Sequence, residues 1–242
     1  MHAGPDPIPW KTRVVVELFS SEGCSSCPPA DAVLRELSEK QPVEGAEVIA
    51  LEMHVDYWND LGWADPFSSD VYTSRQRVYT SALRDRSAYT PQMVVDGSVG
   101  FVGSNAAEAR RAIARAAAQP KAKVALAREG GGDTVSIVVS DVPEAAGAAS
   151  VMLAVVEEGL SSDVKRGENA GAVLVHAPVV RSLRRVGAIA AGARGKAFEG
   201  AEAIAIEPSW KRDRVSAVVF VQSAGTTAIV GAGSLRMSAA RL

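Results

Sequence analysis

The chain has 242 residues, 47% of them hydrophobic and 22% charged, with a formal net charge of −2. This composition suits a globular protein with a buried core, and the length allows one large domain or two ordinary ones. The near-neutral balance argues against a nucleic-acid or polybasic membrane surface, and no apolar run approaches the roughly 20 residues that cross a bilayer.

Residues 1–12 carry Pro5, Pro7 and Pro9 and read as an extended arm without the apolar core of a signal peptide. The Val-rich run 13–19 predicts a strand covered on both faces. It enters Ser20-Ser21-Glu22-Gly23-Cys24-Ser25-Ser26-Cys27-Pro28-Pro29. Ala30, Val33, Leu34 and Leu37 then follow at helical spacing, and Pro42 ends that helix. Residues 47–53 predict a second buried strand, parallel to the first through a right-handed crossover.

The next loop is aromatic, with Tyr57, Trp58, Trp63 and Phe67. Ser68-Ser69-Asp70 offers cap residues for a helix to about position 84. Tyr89-Thr90-Pro91 opens a short strand, Asp96-Gly97 turns it, and 98–103 returns as a hairpin. Ser104 caps a last helix that closes at Gln119-Pro120. Beyond 120, strands are predicted over 124–127, 134–140, 151–157, 173–186, 203–206, 215–222 and 226–230, separated by turn signals. The expected architecture is a β-α-β-α-β-β-α unit over 13–120 and an antiparallel β-sandwich-like domain over 121–242.

Cys24 and Cys27 are the only cysteines. A Cys-x-x-Cys pair between a strand and a helix is the setting of thiol–disulfide exchange, in which a thiolate attacks a disulfide sulfur. The helix start favours the Cys24 anion, whereas Glu22 opposes it. Pro28 and Pro29 suit the first helical turn and hold Cys27 at its mouth. Cys24 is read as the nucleophile and Cys27 as the resolving thiol; the alternative is an inert pair or a structural disulfide. A cis Thr90-Pro91 bond would turn the Thr90 backbone toward the sulfurs for substrate pairing, while a trans bond would simply open an edge strand. Trp58 and Trp63 are expected either to wall a substrate groove or to pack the loop onto the sheet. Arg75 and Arg77 read as surface residues or ion-pair partners of Asp56, Asp60 or Asp65. His54, at the end of the second strand, either orders its loop, shuttles protons, or joins Cys24 and Cys27 in a copper(I) or zinc site. Arg166-Gly167-Glu168-Asn169-Ala170-Gly171 reads as a constrained loop between strands.

The strand, cysteine pair, helix and Thr-Pro order resembles the thioredoxin fold. The segments 17–31, 54–58, 61–67, 89–97 and 166–171 are together similar to a bacterial family of thioredoxin-like proteins of unassigned function, commonly exported, with a β-rich C-terminal part. The resemblance implies a thioredoxin-fold redox site and a periplasmic or secreted location, and it supplies no substrate; dithiol–disulfide exchange on protein or peptide thiols, with a redox partner protein and no bound cofactor, is the expectation from the cysteine pair itself. The sequence departs from thioredoxins at Gly23 (Trp there), at Ser25-Ser26 (Gly-Pro there) and at Leu18 (a buried Asp there). Neighbouring Glu17 is then the candidate proton acceptor for Cys27, although one residue along a strand reverses the face. The alternatives are the metal-binding module above and a non-catalytic adaptor.

Overall fold

A computed structural model describes residues 11–130 and 132–238. Most of the arm expected over 1–12 lies outside them, and Thr12 already opens the first strand. The first part of the chain contains β1 (Thr12–Ser20), α1 (Pro28–Lys40), β2 (Ala46–His54), α2 (Asp70–Ala82), β3 (Gln92–Val95), β4 (Val99–Val102) and α3 (Ala106–Ala117). Strands then follow as β5 (Lys123–Arg128), β6 (Thr134–Ser140), β7 (Ala149–Glu157), β8 (Ser161–Asp163), β9 (Val173–Val175), β10 (Val179–Ile189), β11 (Lys196–Ala203), β12 (Val215–Ser223) and β13 (Ile229–Arg236).

The expected fold class, a β-α-β-α-β-β-α thioredoxin-like unit followed by an antiparallel β-sandwich, is overturned. Among the described residues, one mixed sheet of eight strands runs β13-β12-β7-β10-β2-β1-β3-β4 and draws on both halves of the chain. β1 pairs parallel with β2 and antiparallel with β3. The sheet does not stop at β2. Val179 of β10 pairs with Glu52, and the Glu52 N–H donates to the Pro178 carbonyl at 2.8 Å. Such a narrow seam leaves no trace in hydrophobic periodicity, which reports the face of a strand and not its neighbour.

Alternation along β1 and β2 sends two sets of side chains to opposite faces. Val14, Val16, Leu18, Val48 and Ala50 meet α1 and α3. Val15, Phe19, Ile49, Leu51 and Met53 share the other face with α2, and so do Val156, Val218 and Phe220 from the C-terminal strands. A sheet of β11, β6 and β5 packs Val135, Ile137 and Val139 on Val151, Leu153, Val219 and Val221 of the large sheet.

Several local expectations shift. The cap of α3 is Asn105, whose side chain accepts from the Glu108 N–H, and not Ser104. The run 173–186 is two strands broken at His176–Pro178, and β8 has too few residues to show a period.

Candidate functional site

Cys24 and Cys27 form a disulfide, with Cα atoms 5.4 Å apart. Cys27 is the cap residue of α1, and Pro28 and Pro29 occupy its first positions, where a missing N–H costs nothing. The Thr90-Pro91 bond is cis. The Thr90 hydroxyl donates to Cys24 Sγ at 3.3 Å and accepts from Trp58 Nε1 at 2.9 Å. Gly23 leaves room for Trp58, since a Cβ there would lie 3.3 Å from the Trp58 Cβ.

Both cysteines are fully buried, although Ser25 and Ser26 between them are exposed. The loop between β8 and β9 lies over them. Glu168 accepts from the Ser25 N–H at 3.0 Å and from its hydroxyl at 2.7 Å. Asn169 Nδ2 donates to the carbonyls of Glu22 at 2.8 Å and Cys24 at 3.1 Å. Gly62 and Gly167, both at positive φ, meet where the aromatic loop touches this cap; a Cβ on Gly62 would sit 3.3 Å from the Gly167 Cα.

Behind the disulfide is a buried polar cluster. His54 Nδ1 lies 2.6 Å from Asp65 Oδ2, and His54 Nε2 lies 3.1 Å from Glu52 Oε1. His176, which follows β9, places Nδ1 at 3.3 Å from the same Glu52 oxygen and Nε2 at 3.0 Å from Glu22 Oε1. Trp63 Nε1 donates to Glu22 Oε2 at 2.7 Å. Burial works against the charge on His54, but the Asp65 and Glu52 carboxylates outweigh it and raise its pKa well above the ordinary value. For His176 burial is likewise outweighed, by Glu22 and Glu52, and its pKa rises to about 9. Burial would raise Glu52, yet the two imidazoles bring it down to about 2. Asp31, on the inward side of α1, takes the Ser20 hydroxyl at 2.6 Å; burial, then the Glu52 charge, pushes its pKa up to about 7.

The structure thus brings Thr90, which precedes cis Pro91, to Cys24, sets Trp58 on Thr90, and puts Trp63 on Glu22. It does not bring Glu17 to the cysteines. Glu17 lies on the α2 face of β1, where Arg75 Nη2 and the Tyr79 hydroxyl donate to it at 3.2 and 2.5 Å. Arg75 is therefore a largely buried partner of Glu17, its side chain 10% exposed, and not a partner of Asp56, Asp60 or Asp65. Both His54 nitrogens are held by carboxylates, and neither is bonded to a sulfur. The sequence alone assigns no site role to Glu52, Asp65, His176 or Asp31. A signal was available for Asp31, which stands one helical turn after Cys27 beside inward-facing Ala30 and Leu34. None was available for His176, which reaches the cluster only through tertiary folding.

Among the described residues no helix is long and apolar enough to cross a membrane. No curated protein matches the chain. The crystal structure of protein AGR_C_4864 from Agrobacterium tumefaciens is similar over 96% of this chain and 97% of its own, with 30% identity and a TM-score of 0.74. HBP35 of Porphyromonas gingivalis is similar in fold over 94% of this chain and 76% of its own, at 16% identity and a TM-score of 0.63. The profile of the family described as a protein of unknown function, DUF1223, matches residues 15–222. The chain therefore belongs to the DUF1223 family.

Proposed function

We propose that the chain is a thiol–disulfide oxidoreductase acting on protein or peptide thiols through Cys24 and Cys27. The observation that carries this reading is a disulfide at the start of α1 with the Thr90 hydroxyl 3.3 Å from the Cys24 sulfur. The helix N-terminus and that hydroxyl both stabilise a sulfur anion at Cys24.

A substrate thiolate attacks Cys24 Sγ, and the Cys24–Cys27 bond breaks as Cys27 leaves with the electron pair. A second substrate thiolate attacks the substrate sulfur of the mixed disulfide and expels Cys24 as thiolate. The substrate loses two electrons and becomes a disulfide, while the protein gains two and becomes a dithiol. Asp31, one turn beyond Cys27 and with a pKa of about 7, is assigned the proton that the Cys27 thiolate takes up. Thr90 and Pro91 align the substrate, and Trp58 supports Thr90. The cap formed by Glu168 and Asn169 must lift before the sulfurs can be reached. An oxidising compartment, periplasmic or extracellular, suits a resting disulfide.

The test is turnover in a disulfide-exchange assay on a thiol peptide, with Cys24→Ser inactive and Cys27→Ser trapping substrate as a mixed disulfide on Cys24. Equal turnover by Cys24→Ser and the unaltered chain would sink the reading.

A further inference from the structure

Glu52 and His54 stand two residues apart on β2 and so point to the same face of the sheet. His176 comes to them from beyond β9, across the seam where β10 joins β2. One nitrogen of each imidazole is turned to Glu52 Oε1, at 3.1 Å from His54 and 3.3 Å from His176. The candidate ligand atoms of the three residues all lie within 4.8 Å of one another, and all three residues are buried. The outward nitrogens are each held by a further carboxylate, Asp65 on His54 and Glu22 on His176. Those carboxylates are fixed in turn, Asp65 by the N–H groups of Glu22 and Phe67, and Glu22 by Trp63. An imidazole with one nitrogen turned inward beside a shared carboxylate and the other braced by a further carboxylate is the arrangement that orients a metal-binding histidine.

A second observation is independent of the rings. Glu52 Oε2 is buried and has no hydrogen-bond partner among the described residues. A buried carboxylate oxygen without a partner is costly, and a cation beside it removes that cost.

We infer that Glu52, His54 and His176 hold one divalent transition-metal ion, with zinc the best match, and that Glu52 offers it both oxygens. Two imidazole nitrogens and a carboxylate suit zinc, whereas calcium and magnesium take oxygen ligands. Glu22 and Asp65 add negative groups around the same space, which favours a dication. Asp65 and Glu22 are positioning residues. The site is separate from the cysteine pair and uses neither sulfur.

The test uses the full chain, stripped with a chelator and then given cobalt(II) or zinc(II) at one equivalent. One retained metal per chain is expected, with a cobalt spectrum of nitrogen and oxygen coordination and no thiolate charge-transfer band. The Cys24→Ser/Cys27→Ser double variant should bind equally well. Glu52→Gln and His176→Gln should lose the metal, and Asp65→Asn should weaken binding by about tenfold or more. No metal retained at one equivalent overturns the inference. So does a thiolate band that disappears in the cysteine variant, or unchanged binding by both Glu52→Gln and His176→Gln. The cobalt spectrum of the unaltered chain decides the matter even if a histidine variant fails to fold. Because the cysteine variant keeps the metal but loses exchange, failure here and failure of the redox reading are read separately.

Discussion

Asp31 keeps a proton that an exposed aspartate would give up. Burial and the Glu52 charge raise its pKa from 3.8 to about 7, against the Ser20 hydroxyl. Between those values the folded chain binds more protons than the unfolded chain, so stability falls as pH rises through that window. Asp31→Asn removes the penalty. Thermal melts at pH 8 should place the variant above the unaltered chain by on the order of 2 kcal/mol, with the advantage vanishing near pH 4. An equal or lower midpoint at pH 8 would count against this account. Arg75 poses the opposite problem. It neutralises Glu17, which is wholly buried, and also donates to Gln222 of β12. Arg75→Met should destabilise by about 3 kcal/mol in denaturant titration, because Glu17 is left buried and charged without its countercharge, with only the Tyr79 hydroxyl still donating to it; Glu17→Gln in the same background should recover part of the loss. At this scale the cysteines, Thr90 and Trp58 could be picked out from the sequence because their chemistry is local to a motif. Glu17 could not be placed, since its role depends on which face of β1 meets α2.

Among the elements, α1 and the segment between β8 and β9 decide access to the disulfide. The start of α1 was legible, as Pro28 and Pro29 allow a helix to begin there and nowhere deeper. The cap was legible only as a constrained loop with two glycines; that Glu168 and Asn169 reach back to Ser25 and Cys24 depends on contacts more than 140 positions apart in the chain. Glu168→Ala with Asn169→Ala removes the cap's hydrogen bonds without touching the core. Reduction of the disulfide by a small thiol, followed by thiol labelling, should be severalfold faster in that variant, with the melting midpoint nearly unchanged. An unaltered rate would mean that these two side chains do not limit access.

Across the whole molecule, most strands were legible as strands, because alternation and β-branched runs are local properties. Their arrangement was not, because the seam between β10 and β2 and the shared packing of α2 are set by distant pairings. The Tyr72 hydroxyl donates to the Val180 carbonyl at 2.7 Å, and α2 lies over Val156, Val218 and Phe220 as well as over Phe19. The two halves should therefore unfold together. Circular dichroism and tryptophan fluorescence should give coincident transitions for the full chain, and a fragment of residues 1–120 should lack a cooperative melt. A folded fragment would show that the halves are autonomous. The β8–β9 hairpin has a dual attachment that bears on all of this. It carries the shade over the sulfurs at its tip and leads into His176 at its base, and Arg35 of α1 grips the Val175 carbonyl at 2.7 Å. Swinging the hairpin far enough to drag its root would strip an aromatic ring from two sunken acids. Lifting the tip breaks the Glu168 and Asn169 hydrogen bonds, whereas dragging the root also parts His176 from Glu22 and Glu52, so baring the sulfurs costs less than laying the interior open.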